Sequence, residues 1–492
     1  MKHTAYLLLS LMILSVVSSC GGQESIDTDQ PIDESVSGTN TENTEAAEVV
    51  ISCSLPDDLS FENEVIKIMY REQMEREFTA SADGDSVDAA VYARNLAVEE
   101  RFNVKLEYLP NPSQDWNGGY QRMVSQSVMA NDYAYDIVSG PSYHMPTLIL
   151  QNCLLDLDNV EYLDFDKPWW SQGLKETTAI GGKIFLVSGD ISLGMLRYIH
   201  CLFYNKSLAE AYDITGLEEL VLDGGWTLDK AIEYATLCEQ DLNGDGTRVL
   251  KDDLFGFIIT NNLLMRGFID SLEMDWFHID DTGNPAFNFD DIRTYDACEK
   301  MSAMMANYKN AIILGEGNES VYPVFTEDRA LFVTGRFIDA ETAYRDMESD
   351  FGFMPFPKWD ESQEEYKVTI CGSESTFAIP VNSRNPDMMG AVMEALAYES
   401  YIQVSPVYYE SALKVKYSRA SENIESKVID IIRSGAVFNP TVQLSKIMGI
   451  SMDNLTMEAC LGNKDWASTI ASNEKMLTSA LEKIMSEMGE IE

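Results

Sequence analysis

Apolar and polar positions alternate between two rhythms along the first third of the chain. Val65–Tyr70 (VIKIMY) is short, apolar and β-branched, which predicts a strand. Val87, Val91, Val98 and Phe102 then share one helical face, with Asp85 or Ser86 placed to cap it. Val104–Leu109 alternates apolar with polar residues, as a strand does. Tyr120, Met123, Val124, Ser127 and Val128 make a second helical stripe. Tyr135–Gly140 reads as a third strand, followed by a helix over Thr147–Asn152. This β-α-β-α-β order predicts an α/β fold with a parallel sheet and helices on its faces. Ligands of such sheets sit beyond the carboxyl ends of the strands. The loop Gly140-Pro141-Ser142-Tyr143-His144 is therefore a candidate ligand loop.

Further along, Gly182–Ser188, Tyr198–Tyr204, Leu254–Thr260 and Phe351–Pro357 read as extended segments, and Arg329–Ile338 is apolar again. Thr227 is placed to cap a helix, with Asp229 in its first turn. From Asn385 onward the pattern is mostly helical, and Leu477, Leu481, Ile484 and Met488 share one face of the last helix.

The N-terminus has a different character. Lys2 and His3 precede the mostly apolar stretch Ala5–Val17. Its 13 residues are too few to span a bilayer comfortably, and match the apolar region of a signal peptide. Val17-Ser18-Ser19-Cys20 resembles the lipobox of bacterial lipoproteins, which implies lipidation of Cys20 after removal of residues 1–19. Residues 20–50 are polar and acidic, without Lys or Arg. Such a stretch lacks the apolar content to fold and would act as a tether reaching roughly 30 Å. The expected location is the outer side of the cell membrane, held by lipid.

The 492 residues carry 81 acidic against 35 basic side chains, a net charge of -46. That excludes a nucleic-acid partner, which needs clustered Lys and Arg. Seven cysteines besides Cys20 are widely spaced, with no CxxC. They suit buried positions better than a disulfide framework or zinc site. Only four histidines occur, and no nucleophile elbow, P-loop or H-E-x-x-H is present. A glycoside hydrolase needs only two carboxylates, but nothing marks such a pair. The expectation is a protein that is not an enzyme.

Asp241-Leu242-Asn243-Gly244-Asp245-Gly246, continuing to Asp252, follows the spacing of an EF-hand calcium loop with Asp in the last place. Asp241, Asn243, Asp245, Thr247 and Asp252 are thus candidate ligands for a structural Ca2+, with Asp253 one place later as a substitute.

A series of short segments resembles one family. Gly181-Gly182-Lys183-Ile184-Phe185, Leu202-Phe203-Tyr204-Asn205-Lys206, Trp226-Thr227-Leu228, Phe255-Gly256-Phe257, Ala330–Gly335, Phe351-Gly352-Phe353, Phe377–Pro380 and Tyr398-Glu399-Ser400 appear in the order of family 1 extracellular solute-binding proteins, the maltose-binding type among them. The resemblance implies a two-lobed, type II periplasmic-binding-protein-like fold. Lobe 1 is expected at 51–198 plus 326–372, and lobe 2 at 199–325 plus 373–492. It also implies a monomer that closes on a solute, most simply a mono- or oligosaccharide, and passes it to an ABC permease. Peptides and polyamines are alternative cargoes, and sensing is an alternative to transport. Sugars want flat aromatic surfaces edged by hydrogen-bonding groups. The candidate ligand contacts are Tyr143, Trp169, Trp170, Asp190, Trp276, Arg336 and Phe337. The tryptophans and Phe337 fit packed core equally well.

Overall fold

The computed structural model describes residues 52–112, 118–179, 182–410 and 424–489. Cys20 and the segments 1–19 and 20–50 lie outside them.

Asp85 begins the first long helix, Ser86–Phe102, by accepting from the amides of Val87 and Asp88 at 3.0 Å each. The helix returns the chain to Lys105–Asn111, which pairs in parallel with Val65–Arg71. After the helix Gly119–Ala130, the strand Ile137–Pro141 pairs in parallel with the other edge of Val65–Arg71. Ser375–Ala378 then joins Ile137–Pro141 antiparallel and completes a four-stranded sheet. Alternation along Val65–Arg71 places its residues in two cores. Ile66, Ile68 and Tyr70 pack with Val98, Phe102, Phe377 and the helix Pro386–Glu399. Met69 enters the other core.

The second sheet has five strands, in the order Phe351–Met354, His200–Asn205, Ala330–Arg336, Phe255–Ile259 and Ile312–Leu314. Thr227 caps the helix Leu228–Leu237 on this lobe. The helices Ile292–Asn307, Met452–Cys460 and Trp466–Gly489 pack on one another beside the second sheet. Leu477 and Ile484 of the last helix are buried, as its stripe predicts.

Two assignments to lobes are corrected. Ala330–Arg336 and Phe351–Met354 lie in the second sheet, not with lobe 1, and Val368–Thr369 pairs with Ala436–Val437 in a separate two-stranded sheet. Ala330–Arg336 is buried because it is central, with His200–Asn205 on one side and Phe255–Ile259 on the other. Residues 375–378 and 386–399, expected in lobe 2, belong to the first sheet and its core. An apolar run announces a buried strand but does not say which sheet buries it. Gly182–Ser188 is also less regular than expected: Val187 makes one bridge, to Phe377, and no strand forms there.

The chain passes between the lobes where two extended segments meet. Ile199 pairs with Ile370, Cys371 N–H donates to Tyr198 O at 3.2 Å, and Phe337 N–H donates to Ile199 O at 3.2 Å. Gly372 follows with φ 81°, a left-handed conformation that suits glycine. A Cβ there would lie 3.1 Å from Val442 Cγ1. Its carbonyl accepts from Tyr143 N–H at 3.3 Å and from Ser142 Oγ at 3.2 Å, so the crossing segment fixes the loop after the third strand.

Candidate functional site

That loop forms one wall of a cavity of about 670 Å³. Tyr143 and His144 come from the carboxyl end of Ile137–Pro141 in the first sheet. The turn is tight, with the His144 and Met145 amides both donating to Pro141 O at 3.0 Å. Leu263 and Arg266 come from the short helix after Phe255–Ile259 in the second sheet. Cys371 and Ser373 belong to the crossing segment. Val442, Ser445, Lys446, residues 449–451 and Asp453 close the remaining side from the C-terminal helices. Both lobes and the link between them thus line one space, of the size that holds a small solute.

Two charged side chains on the wall neutralise each other. Arg266 Nε forms an ion pair with Asp453 Oδ2, and the Asp453 side chain is only 3% exposed. His144 is 2% exposed and lines the cavity, yet its Nδ1 has no hydrogen-bond partner among the described residues. Burial, with the Lys446 and Arg71 cations nearby, pushes its pKa down to about 4, so the ring is neutral near pH 7. Its ring lies 4.2 Å from that of Tyr143, centroid to centroid. Behind the wall, Arg71 donates to Ser373 O.

Of the expected ligand contacts, Tyr143 lines this cavity and the others do not. Trp169 and Trp170 are buried, and their indole N–H groups donate to Glu394 Oε1 and Oε2 at 3.1 and 2.9 Å. Asp190 accepts from Ser405 Oγ, and burial pushes its pKa up to about 6. Trp276 donates to Thr456 Oγ1 at 3.0 Å, stacks on Phe287 and meets Trp466 edge-on. Phe337 is buried against Phe353. Arg336 sits over the Tyr198 ring and pairs with Asp339 at 3.3 Å. These six are held by internal partners. Arg266, Lys446 and Asp453 were missed from the sequence, because no spacing links residues near 266 and 450 to the loop at 143.

The expected calcium loop is closed by its own backbone. Asp241 accepts from the amides of Gly244 and Gly246 at 2.6 and 2.8 Å. Asp245 accepts from Thr247 N–H at 2.7 Å, and Asn243 from Asp245 N–H at 2.9 Å. Asp252 is exposed, whereas Asp253 is buried and accepts from the amides of Leu242 and Val249 at 3.0 and 2.8 Å. Asp253, not Asp252, therefore holds the end of the loop. Among the described residues no group of three or more His, Cys, Asp or Glu is arranged to hold a metal ion, and no helix is long and apolar enough to cross a membrane.

Comparison with known proteins places this geometry. The fold resembles that of the maltodextrin-binding domain from Bdellovibrio bacteriovorus bound to maltotriose, at TM-score 0.55 and 14% identity, covering 86% of this chain and 100% of the other. It also resembles the galacto-N-biose-/lacto-N-biose I-binding protein of an ABC transporter from Bifidobacterium longum, at 0.56 and 12%, covering 86% and 98%. A Mycobacterium tuberculosis protein in complex with glycerophosphocholine matches at 0.56 and 13%, covering 86% and 100%. These likenesses establish the two-lobed type II fold. No curated protein matches by sequence. The family model of the bacterial extracellular solute-binding proteins matches residues 80–398, and the chain belongs to that family.

Proposed function

We propose that the chain captures a carbohydrate in the cavity between its lobes and delivers it to the permease of an ABC importer. One observation carries this reading: a cavity walled by both lobes is lined by His144, whose buried Nδ1 has no hydrogen-bond partner among the described residues. A buried polar group without a partner is costly, and a sugar hydroxyl would satisfy it. Tyr143 beside it offers an aromatic surface for a sugar ring. Two of the similar structures described above hold oligosaccharides, by their own descriptions. A solute touching both walls would favour the closed arrangement of the lobes, and closure is what a permease would read.

The cavity offers poor support for hydrolysis. Asp453 is its one lining carboxylate, and Arg266 already pairs with it. A glycosidase needs two carboxylates in reach of one bond. Polyamines are also disfavoured, since Arg266 and Asp453 offset each other and Lys446 leaves the lining with one positive charge.

Cys20 would carry the lipid and residues 20–50 would form the tether. Replacing Cys20 with Ala should release the protein from the membrane fraction, and retention would remove the anchor reading. For the solute, a thermal-shift screen of neutral and acidic sugars, peptides and polyamines is the direct test. A ligand that binds only the folded chain raises the melting temperature. A shift with sugars alone is expected, and a shift with peptides or polyamines alone would overturn the carbohydrate.

A further inference from the structure

We propose that the captured solute carries an anionic group, a carboxylate or a phosphate, seated against the Lys446 ammonium beside His144. The inference rests on the cavity being the solute site.

The argument is one of charge balance. The chain holds 81 acidic and 35 basic residues, so an average patch of its surface is acidic. The cavity departs from that average. Its lining residues with a formal charge are Arg266, Lys446 and Asp453. Asp453 is engaged by Arg266. No acidic side chain forms an ion pair with Lys446 among the described residues, so one positive charge is left over. Lys446 stands in the turn Ser445–Met448, which Gly449 ends with φ 66°. Its charge and that of Arg71 both act on the His144 ring. An anion placed there would meet the Lys446 cation beside the His144 ring, whose Nδ1 has no hydrogen-bond partner among the described residues and donates when it carries the ring proton. Lysine is a compact charge that suits carboxylate or phosphate without fixing an orientation. A charged hydrogen bond is roughly twice as strong as a neutral one, so the anionic group would rank solutes.

The test compares neutral sugars with their charged counterparts on the purified full chain, by thermal shift and then by calorimetry. The probes are a panel of mono- and disaccharides, each beside its uronic acid and its phosphate ester. At least one charged member is expected to bind about tenfold more tightly than its neutral partner. The uronic acid and ester arms tell which anion is preferred. Lys446→Met should reduce that preference to about twofold, and Lys446→Arg should retain most of it. The side chain is exposed, so neither change should move the melting temperature of the free chain. Tight binding of neutral sugars with no charged preference would overturn the anion and leave the carbohydrate reading intact. A charged preference that survives in Lys446→Met would also overturn it. Silence from every sugar would sink the carbohydrate reading, and this inference with it.

Discussion

Two regions of this molecule look alike in sequence and differ in what they leave undone. The corner at Trp169 and Trp170 and the cavity at Tyr143 and His144 each combine aromatic rings with a buried carboxylate. In the corner, Glu394 takes both indole N–H groups, and it accepts from Asp164 N–H at 3.2 Å as well. The ring faces are used too: Trp169 meets Tyr398 at 5.2 Å and Trp170 meets Phe165 at 5.7 Å. In the cavity, Asp453 is satisfied by Arg266, but among the described residues His144 Nδ1 has no hydrogen-bond partner and Lys446 no ion-pair partner. Aromatic content therefore does not mark a binding site. Nor does an unmatched polar atom alone, since both nitrogens of buried His200 also have no hydrogen-bond partner among the described residues; His144 and Lys446 differ in lining one cavity, where a ligand can offset the cost.

The largest effect that sharpens this contrast is Glu394→Ala. It strands two buried indole donors and opens a void, so it should cost about 3–5 kcal/mol in urea unfolding. Solute affinity of the remaining folded protein should not change. A loss below about 1 kcal/mol would mean that the corner is not closed on itself. Next comes Arg266→Met, which leaves Asp453 buried without its cation. With Arg266 partly exposed, about 2 kcal/mol of stability is expected to go. Adding Asp453→Asn should restore much of that loss, as a coupled pair requires. Solute binding should be weakened in the single and the double variant alike, because the wall of the cavity has changed in both.

The same contrast explains what could be read from the sequence. The loop at 140–144 was within reach because β-α-β order fixes where parallel strands end. The first sheet and its helices followed from period and capping, as at Asp85. Tryptophans gave no such guidance, since the same residue packs a core or faces a sugar. The lobe assignment of 326–372 failed for a similar reason: RALFVTGRFI is equally apolar in either sheet, and only hydrogen-bonding partners decide. Lys446 and Arg266 come from turns about 180 residues apart in the chain, and no local pattern joins them.

Acid provides the third test. Burial pushes the Glu394 carboxyl up to about 7, against partial opposition from the two indoles. Its folded pKa thus lies above the unfolded value, so the folded chain binds a proton more readily between about pH 4.5 and 7. Stability from this group must rise as pH falls through that window and decline as pH rises through 7. Unfolding measured at pH 7.5 and 5.5 should show a gain of about 2 kcal/mol from Glu394. Asp190 and Asp270, both pushed up to about 6 by burial, add to it in the same direction. Glu394→Gln should remove the Glu394 share and keep the rest. An unchanged slope in that variant would assign the pH dependence to other groups.

The smallest effect falls on the cavity side. His144→Phe keeps a flat ring near Tyr143 but removes Nδ1. Because that atom has no hydrogen-bond partner among the described residues, the free chain should lose under about 0.5 kcal/mol of stability. A solute that bonds to it should bind more weakly by about 1 kcal/mol, roughly fivefold. The pH profile separates two ways in which the ring could act. With a pKa near 4 the imidazole is neutral from pH 5.5 to 8. As a neutral hydrogen-bonding group it should give wild-type affinity for an uncharged sugar that is flat over that range. If affinity instead fell away above pH 6.5, the ring would be acting as a cation, and the surplus in the cavity would be of charge at His144 as well as at Lys446.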